Sequence, residues 1–95
     1  MHSKIWGKYG WYLLHSTSYL YSPEEKNKYM RLLKCYTEIL PCPICRKHFS
    51  QKLDKIGDAM KEKDSYVKWL IDAHNSVNVL FGRETMSGDA VKKLY

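Results

Sequence analysis

Two thiols stand three residues apart in the segment Leu40-Pro41-Cys42-Pro43-Ile44-Cys45. Cysteines at that spacing, on the first turn of a helix, can close into a small reversible disulfide. The flanking prolines favour that placement. Pro41 disfavours the helical state of the residue before it and so ends a helix arriving from the N-terminal side, while Pro43 suits the first position of a new one. Cys42 then takes the N-cap, where unpaired N–H groups and the helix dipole favour a thiolate, and Arg46 and Lys47 add positive charge. A lowered thiol pKa is expected there. A structural zinc site is one competing reading, with Cys42 and Cys45 joined by His48 and His74. No second C-x-x-C or H-x3-5-H pair accompanies them, and His48 follows on the same short helix as both thiols, so no metal ligand set is assigned. Two inert, buried cysteines are the other, because Cys is commonly a core residue. A thioredoxin-like redox motif would need a βαβ context.

A second constellation is aromatic and polar. Trp11 and His15 lie four apart, and His74, Asn78 and Phe81 follow one helical face with Asn75 beside them. Taken singly, a helical Trp is more often core than a stacking platform, and a helical His is usually solvated or satisfied. Asn and His set among Leu70, Val77 and Phe81 are harder to account for, since a buried amide without a partner is costly and a polar ligand would satisfy it. No G-x-G-x-x-G follows a strand, which excludes a Rossmann cofactor site.

The elements that must position these residues read as helices. Trp6, Gly10, Leu13, Leu14, Thr17 and Leu20 recur at spacings of three and four, predicting a first helix from Ile5 to Tyr21. Ser22-Pro23-Glu24-Glu25 predicts an N-cap, a first-position proline and a capping box for a second helix, whose inward stripe is Tyr29, Met30, Leu32, Leu33, Tyr36, Ile39 and Leu40. Cys35 falls on the same apolar side and is expected to be a buried small hydrophobe. The third helix carries Ile44, Phe49, Leu53 and Ile56 inward and stops at Gly57; after a polar connection from Asp58 to Asp64, Ser65 would cap a fourth with Tyr66, Val67, Leu70, Ile71, Val77 and Phe81, ending at Gly82. Ser87 would cap a short fifth helix through Tyr95. The expected fold is all-α, a four-helix bundle plus a short fifth helix in a single domain over residues 1–95, without internal repeats or low-complexity tracts.

Composition narrows the function classes. The apolar fraction of 44% and charged fraction of 27% are ordinary for a globular chain of 95 residues, which argues against disorder. Eight Tyr, three Trp and two Phe are a heavy aromatic load that suits a dense core or a stacked ligand. The net charge of +6 is spread along the chain without runs, and no zinc-finger spacing, RRM signature or basic heptad appears, so nucleic acid is not an expected partner. Met1 to Lys8 lacks the apolar region of a signal peptide and no window reaches eighteen apolar residues, so a soluble protein outside the standard export route is expected.

Three segments, read together, carry a resemblance. Gly7-Lys8-Tyr9-Gly10-Trp11-Tyr12-Leu13-Leu14-His15, then Leu40-Pro41-Cys42-Pro43-Ile44-Cys45, then Trp69 followed by His74-Asn75-Ser76-Val77-Asn78 and Gly82-Arg83, resemble the signature segments of the Erv/ALR FAD-linked sulfhydryl oxidases, in order and spacing over nearly the whole chain. The resemblance implies a four-helix bundle with a short fifth helix, FAD held at its mouth, homodimerisation, and an enzyme that makes disulfides in protein substrates and passes electrons to oxygen with hydrogen peroxide as product. It implies that Cys45 lies next to the flavin and that Cys42 meets the substrate dithiol. Trp11, His15, His74, Asn75 and Asn78 fall on FAD-contact positions, Gly7 and Lys8 open the first segment, Val77 and Arg83 belong to the third, and Tyr95 falls where many members have a Trp near the cofactor. Lys8 replaces a frequent Arg, keeping the charge and losing the guanidinium geometry. The further structural disulfide of many members has no counterpart, with Ile71 and Gly88 near its positions, and no second C-x-x-C or cysteine arm supplies a shuttle. Cys42 would therefore serve an outside protein dithiol or a thioredoxin-like relay directly. The minimal form resembles the oxidases of large cytoplasmic DNA viruses, implying host cytoplasm or virion, with the mitochondrial intermembrane space or the secretory pathway as alternatives. The rival from another class is a cofactor-free helical binding module whose C-x-x-C holds zinc or nothing.

Overall fold

The computed structural model describes residues 3–95, with side chains from Gly7 onward, so the Trp6 side chain of the first helix's expected stripe lies outside the described residues. The helices are α1 (Ser3–Ser18), α2 (Lys26–Ile39), α3 (Pro43–Asp54), α4 (Lys63–Leu80) and α5 (Gly88–Leu94), with short 3-10 turns at Pro23–Glu25 and Gly57–Lys61. Among the described residues there is no strand, and the fold is the all-α bundle with a short fifth helix that the periodicity predicts. α1 packs on α4 and α2 on α3, with α3 and α4 also in contact, so the four long helices share one core.

The inward face of α1 differs from expectation. Leu14, His15 and Ser18 are buried and Trp11 partly so, whereas Leu13 and Leu20 are 45% and 75% exposed. The apolar residues alone define the wrong phase, because two of the inward positions are polar. α1 stops at Ser18, short of Tyr21. Ser16, Thr17 and Ser18 each turn a hydroxyl back onto a carbonyl of the preceding turn, on Tyr12, Leu13 and His15 at 2.6, 2.7 and 2.6 Å, a local alternative that weakens continuation of the helix. α2 packs on α1 at Gly10, where the Tyr36 hydroxyl donates to the Gly10 carbonyl at 2.9 Å.

The caps divide. Cys42 and Ser87 act as N-caps as predicted, accepting from the backbone N–H of Cys45 at 3.2 Å and of Ala90 at 3.1 Å. Ser22 makes no side-chain cap bond: Pro23 opens a 3-10 turn closed by the Glu25 N–H on the Ser22 carbonyl at 2.9 Å, and the Glu25 carboxylate pairs with Lys28 instead of closing a capping box. α4 starts at Lys63, before the expected cap at Ser65, whose hydroxyl donates to the Ala59 and Glu62 carbonyls and ties the 3-10 turn to the helix. Cys35 and Ile39 on α2, Ile44 on α3 and Phe81 at the end of α4 are exposed, where inward positions were expected. Each stands at a helix end or flank beyond the width of the buried stripe.

Away from the cysteines, the segment after α1 meets α2 and α4 in a cluster of Tyr21, Tyr29 and Tyr66, with ring centroids 4.6 to 5.6 Å apart. Tyr21 donates to the Met60 carbonyl at 2.6 Å and Tyr29 to that of Thr17 at 3.0 Å. The fully buried Tyr66 hydroxyl has no partner.

Candidate active site

α2 ends and α3 begins at the two cysteines, which form a disulfide with Cα atoms 5.2 Å apart. The sulfurs differ in access. Cys45 is 5% exposed and faces the bundle interior, while Cys42, at the N-cap, is half-buried. Arg46 turns its guanidinium onto the Leu40 carbonyl at the end of α2, which fixes the α2–α3 corner that carries the pair. His48, one turn on, bonds Ser76 of α4 through Nε2 at 2.9 Å. That bond takes His48 away from the cysteines and sets the register of α3 against α4.

Inside the corner, Cys45 borders a narrow apolar slot of about 30 Å³ walled by Gly10, Trp11, Leu14, Tyr36, Phe49 and Val77. The slot is too small for a ring system, but Gly7 and Trp11 are shared with a neighbouring open cleft of about 300 Å³, lined also by Lys8, His74, Arg83, Met86 and Tyr95. One side of the Trp11 region is thus greasy and adjacent to sulfur, and the other is cationic and aromatic.

The Trp11 ring stacks on His74, with centroids 4.2 Å and planes 8° apart, and more loosely on His15 at 5.6 Å. Tyr95 lies over His15 at 4.8 Å. His15 Nε2 and His74 Nδ1 share a hydrogen bond of 2.9 Å. Burial, and then the proximity of His74, pulls His15 down to about 4; burial, and then the Arg83 charge, does the same to His74. Both rings are neutral at physiological pH, and one proton serves the shared bond. His15 Nδ1 is left fully buried without a partner, an arrangement that costs free energy unless something fills it.

The two asparagines behave differently from the stacked rings. The Asn75 amide donates to the Met86 carbonyl and accepts from the Met86 N–H, both at 2.7 Å, so it is committed to holding the 82–87 segment. Asn78 is buried, and its main-chain carbonyl, which any residue there would supply, accepts from the Arg83 N–H at 2.7 Å across the turn that Gly82, at φ 69°, makes possible. Neither lines the cleft; the Asn75 side chain supports the segment that brings Arg83 and Met86 to it. Of the residues singled out from sequence, Gly7, Lys8, Trp11, His74, Arg83 and Tyr95 converge on the cleft, Cys45 and Val77 on the slot, and His15 stands behind Trp11. Met86, Tyr36 and Phe49 were missed as site residues. Tyr36 and Phe49 had been assigned to core alone, and no spacing marks Met86.

The donor set fits an elongated, partly anionic ligand with a flat aromatic part: two cations and stacked rings at the cleft, an orphaned imidazole nitrogen behind it, and a redox disulfide beyond the slot.

Residues 8–95 match the sequence profile of the Erv1 / Alr family. The chain is 31% identical over 94 residues to a probable FAD-linked sulfhydryl oxidase of Acanthamoeba polyphaga mimivirus, covering 92% of this chain and 66% of that protein. It is 29% identical over 94 residues to the FAD-linked sulfhydryl oxidase of an African swine fever virus isolate, covering 95% and 79%. It is 28% identical over 76 residues to the mitochondrial FAD-linked sulfhydryl oxidase of Saccharomyces cerevisiae, covering 76% of this chain and 40% of that protein. The chain thus spans less than two thirds of the length of the mimivirus and yeast relatives. No solved structure matches.

Proposed function

The chain belongs to the Erv1/Alr family, and from that premise we propose that it is an FAD-linked sulfhydryl oxidase, a single domain over residues 1–95 that makes disulfides in protein dithiols. The observation that carries the reading is a disulfide between a half-buried and a buried cysteine, the buried one bordering a slot that joins a cationic, aromatic cleft at Trp11. A substrate thiolate attacks Cys42 Sγ, forming a mixed disulfide and releasing Cys45 as thiolate. The second substrate thiolate then attacks the substrate sulfur and releases Cys42. The substrate loses two electrons and two protons, and the Cys42/Cys45 pair gains them.

FAD would be held by Trp11, His74, Lys8, Arg83 and Tyr95, with His15 offering its unpartnered nitrogen, Asn75 acting through the 82–87 segment, and Asn78 buried beneath it. The chemistry a bound FAD supplies is acceptance of the electron pair from the reduced thiols and its delivery to oxygen, giving hydrogen peroxide. The zinc alternative loses support from His48, whose ring is engaged with Ser76. A second copy of the chain is the proposed partner for the exposed residues Tyr9, Tyr12 and Leu13 on α1 and Leu20 just beyond it. The virus relatives favour action in a host cytoplasm or virion, and the yeast relative keeps the mitochondrial intermembrane space as the alternative; among the described residues no helix is long and apolar enough to cross a membrane.

An absorbance scan with an oxygen electrode tests the reading. The purified protein should show a flavin spectrum and consume oxygen with dithiothreitol, producing peroxide. A colourless protein that releases zinc on thiol modification would sink it.

A further inference from the structure

Arg46 is the fourth residue of α3, beside a helix start whose unpaired N–H groups already carry positive charge and disfavour a cation. Its side chain turns away from that start. The guanidinium donates to the carbonyl of Leu40, the C-cap of α2, where the helix dipole is negative and a cation is favoured. Among the described residues it makes no ion pair, and Glu38 and Asp54, the acids nearest to it in sequence, are both exposed.

Cys42 lies inside the loop that this contact closes. Its N–H donates to the same Leu40 carbonyl at 2.8 Å, its carbonyl accepts from the Arg46 N–H at 2.9 Å, and its Sγ accepts from the Cys45 N–H at 3.2 Å. The polar groups of Cys42 are thus all engaged between residues 40 and 46. Pro41 and Pro43 have no N–H to offer in exchange. The main-chain bonds would form with any residue at position 46, so the guanidinium is what Arg46 itself adds. Leu40 packs against the core and borders the slot beside Cys45, which anchors the loop to the bundle.

We propose that Arg46 is a positioning residue for the redox pair: through the Leu40 carbonyl it holds Cys42 in reach of Cys45 while the disulfide is open, so that the bond re-forms. This rests on the oxidase reading and deepens it, since an oxidase of this kind must close its own disulfide again in every turnover. The guanidinium contact and the S–S bond hold one residue in one place, so each is more favourable when the other is present, and the entropy lost on closure is smaller. A cation acting through charge alone would do the opposite, because it favours the thiolates and hence the open pair. The two roles differ in sign.

The test equilibrates the flavin-loaded protein with glutathione buffers in the absence of oxygen, and acid-quenched intact-mass measurement reads the fraction of Cys42–Cys45 disulfide. The pair gives two electrons and two protons to oxidised glutathione, whose S–S bond breaks as the protein's forms, leaving two glutathione thiols. Arg46→Met should lower the equilibrium constant for closure by about tenfold, equivalent to about 30 mV for this two-electron couple. Arg46→Lys, which keeps a cationic donor on a long stem, should recover it to within about threefold of wild type. Melting should fall further in the oxidised than in the reduced form of Arg46→Met, whereas a purely structural contact would lower both alike and leave the constant unchanged. If Arg46→Met does not fold, Arg46→Gln, uncharged and too short to span the loop, carries the same expectation. An unchanged constant, a raised one, or no recovery in Arg46→Lys overturns the clamp. Absence of dithiothreitol turnover in the wild-type protein overturns the oxidase reading instead, because the glutathione equilibrium is read without turnover.

Discussion

The two ends of the bundle are built from similar residues to opposite purposes. At one, Tyr21, Tyr29 and Tyr66 pack ring against ring, and two of the three hydroxyls reach backbone carbonyls. At the other, Trp11, His15, His74 and Tyr95 also stack, but around a slot, a cleft and an unsatisfied nitrogen. A fold of this size has one core, so the space for a ligand is taken from it. The tyrosine end supplies the compensating aromatic burial, and Phe49 and Trp69, each about 6 Å from its ring neighbours, join the two ends.

The largest expected effect separates the sulfurs. Cys42→Ser and Cys45→Ser should each abolish dithiol oxidation while leaving the fold intact, since neither cysteine belongs to the tyrosine end. Only the Cys45→Ser variant should capture an activated thiol as a mixed disulfide, because its remaining cysteine is the less buried of the two. Capture by the Cys42→Ser variant at equal rate, read by intact-mass measurement, would dissolve the distinction.

Proton linkage should separate the ends next. In the folded protein His15 and His74 protonate near pH 4, while in the unfolded chain they do so near 6.5. Between those values the unfolded chain binds more protons, so stability is whole above about 6.5 and falls as the pH drops towards 4, by on the order of 3 kcal/mol for one histidine shifted this far. The tyrosine end has the reverse sensitivity. Burial raises Tyr21, Tyr29 and Tyr66 above 10.0, so stability is whole below that pH and declines as the pH rises past it. Denaturant midpoints across pH should show both limbs, and His74→Phe should flatten the acid limb alone.

A smaller difference lies within the tyrosine cluster. Tyr21→Phe should cost about 1–2 kcal/mol, since it orphans the Met60 carbonyl. Tyr66→Phe should be neutral or stabilising, because it removes a buried hydroxyl without a partner. Equal losses in the two variants would mean that the Tyr66 hydroxyl is satisfied in solution. Smallest of all, Cys35→Ala should change stability by less than about 0.5 kcal/mol and leave turnover unchanged, since its thiol is exposed on α2.

Legibility in the sequence followed chemistry more than hydrophobicity. The caps at Cys42 and Ser87 and the helix order were readable, because spacing on a helix fixes which side chains share a face; Lys8 and Arg83, which stand with Trp11 and His74 at the cleft, entered only through the family resemblance. Inward positions were read less well. Leu13, Leu20, Ile39, Ile44 and Phe81 follow apolar periodicity yet lie outside, while His15 and Ser18 lie inside. A small bundle has little interior, so its sequence holds more apolar residues than the core can take. The surplus at Ile39 and Ile44 stands beside the disulfide. Asn75 was read as a ligand contact; its two bonds to Met86 depend on a loop conformation that no periodicity encodes.

Those two bonds also bear on how the cleft opens. Arg83 and Met86 form the outer wall of the cleft, and that wall is fastened to α4 by the Asn75 amide and by the Asn78 carbonyl, all within one turn. The four long helices are held by other contacts, so the wall can detach while the bundle stays folded. The cleft can then widen at that wall without global unfolding. Two of the three bonds that fasten the wall come from one side-chain amide, so a single local opening at Asn75 releases most of it.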